Sequence, residues 1–423
     1  MRIEEADAPN PVTTMAWPPS AIPQSVCLAD WNLMRKVLRT AVILSASALV
    51  LTGCSAGDGG GGGTAEGLKG TGSGDSCVIE GTVPVGAALS LTGGAASYGE
   101  SQQMGLELAL EELNAKDGVK YELTVEDDAT DPRQAMSVFE GFVADGSSAI
   151  IGPTLSNTAF QAQPIAQEAG VPVLAISNTA TGITEQGDFI FRDSLTEAQV
   201  IPQTIEAAKD KLGLEKVVVM YSNDDAFTES GFEVMESALK DQGVEVVDTL
   251  TFSVKDTDFR SLLTTAKQSN PDAIVVSALI EAAIPLVTQA RELGIDQPII
   301  GGNGFNNPAL MKDAGEAAEG VIVGAAWNSA SDSPENTAFM TAFEEKYGAG
   351  PDQFAAQAYA GMQIIDHAVR VNCSGERTDV QDGLTQVKDL PTPLGSISIN
   401  ADRDAEHPAV VQIVKDGEFA VLN

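Results

Sequence analysis

The sequence predicts an α/β protein built from two parallel-sheet lobes, and three observations carry that prediction. From residue 82 onward, short apolar runs alternate with helical segments that have one apolar side. Glycines punctuate the joints, the pattern of β-α units with right-handed crossovers. About nine strands over some 250 residues fit two sheets better than one.

With 423 residues the chain is long enough for two domains with cores. It carries 60 acidic against 24 basic residues, a formal charge of −36. The first 53 residues hold four of each sign, so the acidic excess lies entirely downstream. Such a balance disfavours nucleic acid and anionic membrane surfaces as partners of the folded part. It reads as a solvated surface, not as a site.

Residues 1–33 have several prolines and no periodicity, and are expected to be unstructured. A start codon placed too early explains them most simply; an extended leader is the alternative. At Met34 comes a basic start, MRKVLR, then the apolar run AVILSASALVL, then LTGC. This is the layout of an export signal over 34–53, too short to span a membrane as a mature helix. Leu51-Thr52-Gly53-Cys54 resembles the lipobox of bacterial lipoproteins, which implies cleavage before Cys54 and lipidation of its thiol. Residues 54–77 read as a Gly/Ser tether with nothing apolar to pack, so the fold is expected to begin near Val78. Of the four cysteines, Cys27 and Cys54 lie in or beside the leader region, leaving Cys77 and Cys373 in the globular part. An exported chain can oxidise them, and a Cys77–Cys373 disulfide is expected, with two separate thiols as the alternative.

The elements then follow in order. Residues 82–89 form a strand, the loop SLTGGAASYGES follows, and 102–116 is a helix with Met104, Leu106, Leu108, Leu110 and Leu113 on its apolar side. Strand 121–128, the turn ATDP and helix 133–145 lead to the stretch Ala149–Thr181. There, strand 149–151, helix 156–169 and strand 171–176 are expected, with continuous apolar runs that suit parallel strands covered on both faces. Strands at 216–221, 244–252, 272–278, 297–302 and 320–327 alternate with helices at 197–212, 228–242, 258–268, 281–293 and 308–313. Residues 335–372 read as mostly helical, and 395–399 and 409–421 as strands, with Asp416-Gly417 as a hairpin turn.

The candidate site lies in Ala149–Thr181. Thr154, Ser156, Asn157 and Thr158 follow its first strand, and Ser177, Asn178, Thr179 and Thr181 follow its second. Ligands of open α/β sheets sit beyond the carboxyl ends of the strands, where helix N-termini offer N–H groups to anions. Two adjacent loops therefore converge on what reads as a carboxylate cradle. Ordinary capping, with Ser156 as an N-cap, is the structural alternative.

Further residues bring a resemblance. They are Ser90-Leu91-Thr92-Gly93 with Tyr98-Gly99, Asp127-Asp128-Ala129-Thr130-Asp131-Pro132 with Gln134-Ala135, Asp258-Phe259, and Ala358-Tyr359-Ala360. In that order and spacing, over roughly 82–423, the chain resembles the substrate-binding proteins of branched-chain (hydrophobic) amino-acid ABC transporters. The resemblance implies the periplasmic-binding-protein type I fold: two Rossmann-like lobes joined by a three-strand hinge. Lobe one would comprise 78–196 and 328–392, and lobe two 197–327 and 393–423. It also implies that Ser156, Thr179 and Thr181 hold a ligand carboxylate, with Asn157 and Ser177 in the same loops. Tyr98 would close over the ligand, Phe227 would stand where relatives carry a Tyr, and Tyr359 would flank the hinge side of the cleft. Where relatives often place an acid to pair with the ligand's ammonium, this chain has Asn303. Either another acid, Glu281 or Asp225, takes that role, or the ligand lacks an α-ammonium.

The resulting expectation is a monomeric, lipid-anchored protein on the extracytoplasmic face of a bacterial membrane, without cofactor. It would capture a small carboxylate-bearing solute, a branched-chain or other hydrophobic amino acid, by hinge closure and deliver it to an ABC permease. A ligand sensor of the same fold, a binder of a non-amino-acid carboxylate or amide, an enzyme, and a structural lipoprotein are the rivals. His367 and His407 have no ligand-spaced partners for a metal, and no Gly-x-Ser-x-Gly or base accompanies Ser156. Asp224-Asp225 reads more readily as a solvated loop than as a ligand contact.

Overall fold

In the computed structural model, which describes residues 67–422, the apolar runs become two parallel sheets. The first lobe opens with β1 (Thr82–Leu89), α1 (Ala96–Ala115), β2 (Lys120–Asp127), α2 (Pro132–Ala144), β3 (Ala149–Ile151), α3 (Ser156–Glu168), β4 (Val173–Ala175) and β5 (Ile190–Arg192). The second holds α4 (Glu197–Leu212), β6 (Lys216–Ser222), α5 (Ala226–Asp241), β7 (Glu245–Phe252), α6 (Arg260–Gln268), β8 (Ala273–Ser277), α7 (Ile280–Glu292), β9 (Ile299–Gly301), α8 (Ala309–Ala314) and β10 (Ile322–Ala325). The chain then returns to the first lobe for α9 (Pro334–Tyr347), α10 (Gln353–Asn372), α11 (Arg377–Thr385), β11 (Leu390–Thr392), β12 (Gly395–Ile399) and β13 (Ala405–Glu406). It ends in the second lobe with β14 (Val410–Lys415) and β15 (Glu418–Val421).

The first sheet runs β2-β1-β3-β4-β5, all parallel. Along β1, Val83, Val85, Ala87 and Leu89 pack in one core with α1 and α10, while Ala88 joins Phe139 and Phe142 of α2 in the other. That alternation leaves the sheet covered on both sides, as buried parallel strands require. The second sheet, β15-β14-β10-β9-β8-β6-β7, is parallel from β10 to β7 and closes with an antiparallel hairpin. Asp416 and Gly417 make its turn with φ of 54° and 78°, both in the left-handed region that a tight hairpin needs.

Three features depart from the sequence reading. The stretch Gly67–Ser76, read as tether, is bound to the first lobe. Lys69 bridges to Ser374, Thr71 to Val78, and the Lys69 ammonium lies 3.1 Å from Glu376. Cys77 and Cys373 are bonded, with Cα atoms 5.3 Å apart, which fastens this segment to the end of α10. The third crossing between lobes lies later than 392: Leu394, Ile397, Ile399 and Ala405 sit in the first lobe's core, so the chain crosses at 407–409. Finally, α1 begins at Ala96, not near 102, which puts Tyr98 in its first turn. Gly99 permits this start, because a Cβ there would lie 2.1 Å from the Ser90 carbonyl oxygen. The expectations for residues 1–33, the export signal, Cys27 and Cys54 lie outside the described residues.

Candidate functional site

The carboxyl ends of β1, β3 and β4 are tied into one rigid ledge. The Ser90 N–H donates to Thr154 Oγ1 (2.9 Å), which donates to Gln102 Oε1 (2.7 Å). Gln102 Nε2 donates to Ser177 Oγ (2.7 Å), and that hydroxyl donates to the Thr154 carbonyl (2.6 Å). Asn178 adds bonds to the Pro153 and Thr154 carbonyls. Ser177 thus spends its hydroxyl hydrogen on the scaffold.

On this ledge stands the N-terminus of α3. Leu155 occupies its cap position and no side chain caps it. Ser156 is the first helical residue, buried, its hydroxyl accepting only a long bond (3.4 Å) from the Ala180 N–H. A helix start with uncapped N–H groups carries a partial positive charge and accepts an anion readily. Ser156 is therefore not the N-cap that the sequence left open.

Around this pole close Tyr98, Thr154, Leu155, Ser156, Ser177 and Thr179 from the first lobe. Asp225, Phe227, Leu279, Asn303 and Gly304 come from the second, and Gln353, Phe354 and Gln357 from α10. The space among them, counted with its opening to solvent, is about 450 Å3. Tyr98 seals the lobes: its hydroxyl donates to the Gly304 carbonyl and accepts from the Ile280 N–H, both at 2.7 Å. Its ring packs 4.5 Å from that of Phe354. Burial, with Glu281 nearby, pushes the Tyr98 phenol well above its ordinary value, so the latch is a neutral hydroxyl.

Beside the pole, where the Ala180 N–H meets Ser156, lies a polar corner. Thr179 Oγ1 and Asn303 Nδ2 both donate to Glu197 Oε1, each at 2.9 Å. Gln353 Nε2 reaches Asn303 Oδ1 at 3.4 Å, and Gln353 Oε1 accepts from the Ala326 N–H on the second crossing. Glu197 opens α4 just after the first crossing and is fully buried. Burial raises its pKa to about 7, against the two hydrogen bonds that lower it.

The arrangement can enclose a small molecule with an anionic group at the α3 N-terminus, hydrogen-bonding groups beside it, and an apolar body against Tyr98, Leu155, Phe227, Leu279 and Phe354. No cluster of three metal-ligating side chains occurs among the described residues.

Comparison with known proteins places this geometry. The family model described as periplasmic binding protein matches residues 82–418. The chain belongs to that family. A leucine-, isoleucine-, valine-, threonine- and alanine-binding protein of Pseudomonas aeruginosa is 25% identical over 77% of this chain and 88% of its own length. The branched-chain amino acid transporter substrate-binding protein LivJ of Streptococcus pneumoniae, crystallised with isoleucine, is 30% identical with a TM-score of 0.76. That match covers 80% of this chain and 98% of LivJ. A solute-binding protein of an ABC transporter from Rhodopseudomonas palustris, crystallised with 3,4-dihydroxybenzoic acid, is 26% identical with a TM-score of 0.74, covering 80% and 95% of the two chains. The two-lobed type I fold is thus common to all.

Within this binding protein, the sequence-derived residues divide. Tyr98, Ser156, Ser177, Thr179, Phe227 and Asn303 line the closed cleft. Asn157 does not: its side chain is exposed on the outer side of α3's first turn. Thr181 lies on the seam between lobes, exposed, its N–H donating to Ser230 Oγ (2.9 Å), outside the cavity. Tyr359 is a core residue packed on Phe339 with its hydroxyl on the Glu112 carboxylate. Gln353, Phe354 and Gln357 share the helix face that meets the cleft, and Tyr359, two residues beyond Gln357, points about 200° away. Glu281 is also outside the lining. Its carboxylate lies against the loop before α1, where a Cβ on Gly94 would come within 2.5 Å of Oε1, and its Oε2 is buried without a partner. Asp225, read more readily as solvated, lines the cleft and caps α5 through the Thr228 N–H. Glu197 escaped the sequence reading because an acid in a helix's first turn looks like ordinary dipole compensation.

Proposed function

We propose that this protein is the extracytoplasmic solute-capturing component of an ABC transporter for a branched-chain or other hydrophobic amino acid, working as a monomer. The observation that carries the reading is the uncapped N-terminus of α3, with Ser156, in a cavity that also offers an apolar wall of Tyr98, Leu155, Phe227, Leu279 and Phe354. The ligand carboxylate takes the N–H groups of α3 on the first lobe, and the second lobe then closes, adding Phe227, Leu279 and the Tyr98 latch. Closed and open forms differ by the contacts the ligand makes only when the lobes meet. The naming of the Pseudomonas and Streptococcus relatives agrees with this ligand class.

We further propose a lipid anchor on Cys54 after removal of residues 34–53, with the chain up to about residue 66 as the tether. No helix among the described residues is long and apolar enough to cross a membrane.

One observation favours a second reading, an aromatic carboxylate. Asn303 brings no charge to the cleft, and the Rhodopseudomonas relative was crystallised with a dihydroxybenzoic acid. A thermal-shift screen of the full chain decides between them, with leucine, isoleucine, valine and phenylalanine set against benzoate and its hydroxylated forms. A ligand at 100 times its Kd stabilises the fold by about 2.7 kcal/mol. Shifts with the aliphatic amino acids alone are expected. Shifts with the benzoates alone would replace the first reading by the second.

A further inference from the structure

We infer that Glu197, from behind the cleft wall, makes the Thr179–Asn303 corner a receptor for a ligand's ammonium. This rests on the carboxylate-capture reading above and deepens it by naming what the ligand must carry beside its carboxylate.

A carboxylate only accepts hydrogen bonds. The two groups that meet Glu197 Oε1 therefore turn their hydrogens toward it: the Thr179 hydroxyl and the Asn303 amide nitrogen, each at 2.9 Å. Both residues line the cavity. What they can still present to a ligand is their acceptor side, the lone pairs of Thr179 Oγ1 and the one that Gln353 Nε2 leaves on Asn303 Oδ1. A third acceptor lines the same cavity, since Gln357 Oε1 is buried without any hydrogen-bond partner. Three acceptors are what the three N–H bonds of an ammonium require.

The charge balance points the same way. Glu197 is 1% exposed, and its side-chain partners are neutral. The fold makes room for it with glycine: a Cβ on Gly302 would lie 2.9 Å from Oε2. A buried carboxylate held only by neutral donors lacks its counter-charge, and burial accordingly pushes its pKa up to about 7. A ligand ammonium seated on Thr179 and Asn303 supplies that charge one residue away. The uncharged Asn303 then works as a relay: the negative charge sits on the first residues of α4, behind the wall. Glu197 is a positioning residue, acting through two side chains that touch the ligand.

The test measures selectivity. Leucine and its ammonium-free analogue, 4-methyl-2-oxopentanoate, are titrated calorimetrically into the full chain and into Glu197→Gln. In the wild type leucine should bind more tightly. Glu197→Gln should weaken leucine by roughly tenfold or more while the oxo acid changes by less than about twofold. Adding Asn303→Asp to Glu197→Gln restores a charge at the corner and should recover leucine binding. A purely structural Glu197 would weaken both ligands together, and that result overturns the inference, as does unchanged leucine affinity in Glu197→Gln. Tighter wild-type binding of the oxo acid would overturn the inference and leave carboxylate capture standing. Binding of neither ligand would remove both.

Discussion

Ser156→Asp should abolish ligand capture while leaving the fold intact. The residue is the first of α3, buried, and beside N–H groups that no side chain caps. An Asp there places a carboxylate on those same groups, where helix N-termini favour negative charge by about 0.3–1 kcal/mol. The pole is then already filled, and a ligand carboxylate entering the shut cleft meets a like charge at contact distance. Like charges in a water-excluded site cost several kcal/mol, so affinity should fall by at least about 100-fold, roughly 2.8 kcal/mol. Ser156→Ala removes one hydroxyl and keeps the N–H groups, so it should cost only about 1 kcal/mol. Calorimetric titration of both variants reads the difference. Equal losses would mean that the hydroxyl, not the helix terminus, holds the ligand.

Removing the Cys77–Cys373 bond should do the reverse, lowering stability and sparing affinity. The bond closes a loop of 296 residues, nearly the whole folded chain, so its effect on the unfolded ensemble is large, roughly 3–5 kcal/mol. It also holds the segment from Gly67, whose backbone pairs with the end of α10 through Gly70 N–H to the Cys373 carbonyl. Cys77 precedes β1, whereas the cleft lies beyond Leu89 at that strand's other end. The Cys77→Ala/Cys373→Ala variant should therefore unfold at clearly lower denaturant and bind the same ligand within about twofold. Unchanged stability would show that the packing of 67–77 alone fastens the N-terminus.

Much of the fold is legible in the sequence because buried parallel strands are continuous apolar runs. KVVVMY and DAIVVSA admit no other reading once glycine-punctuated helices flank them. β5 is not legible, being three residues long with a buried Arg192 at its end. The pole of the site is legible in the cluster of small hydroxyl residues after β3 and β4. The face of α10 is not. Ala355, Ala356, Ala358, Ala360, Met362, Ile364 and Ile365 are all buried, so the helix is apolar all round and its periodicity cannot say which side meets the cleft. An aromatic residue such as Tyr359 then draws the eye, while two glutamines and a phenylalanine one to two turns earlier do the lining. Glu197 is invisible for another reason: its burial comes from Thr179 of the first lobe and Gly302 and Asn303 of the second meeting at the first turn of α4, a long-range event with no local signature.

Ligand capture rests on the α3 N-terminus receiving a carboxylate beside the apolar wall of the cleft. Calorimetric titration of the full chain with leucine and with leucinol tests it most directly, because leucinol keeps the side chain and the amine but lacks the carboxylate. Leucine should bind and leucinol should be weaker by at least about 100-fold. Comparable affinity for the two would contradict the account.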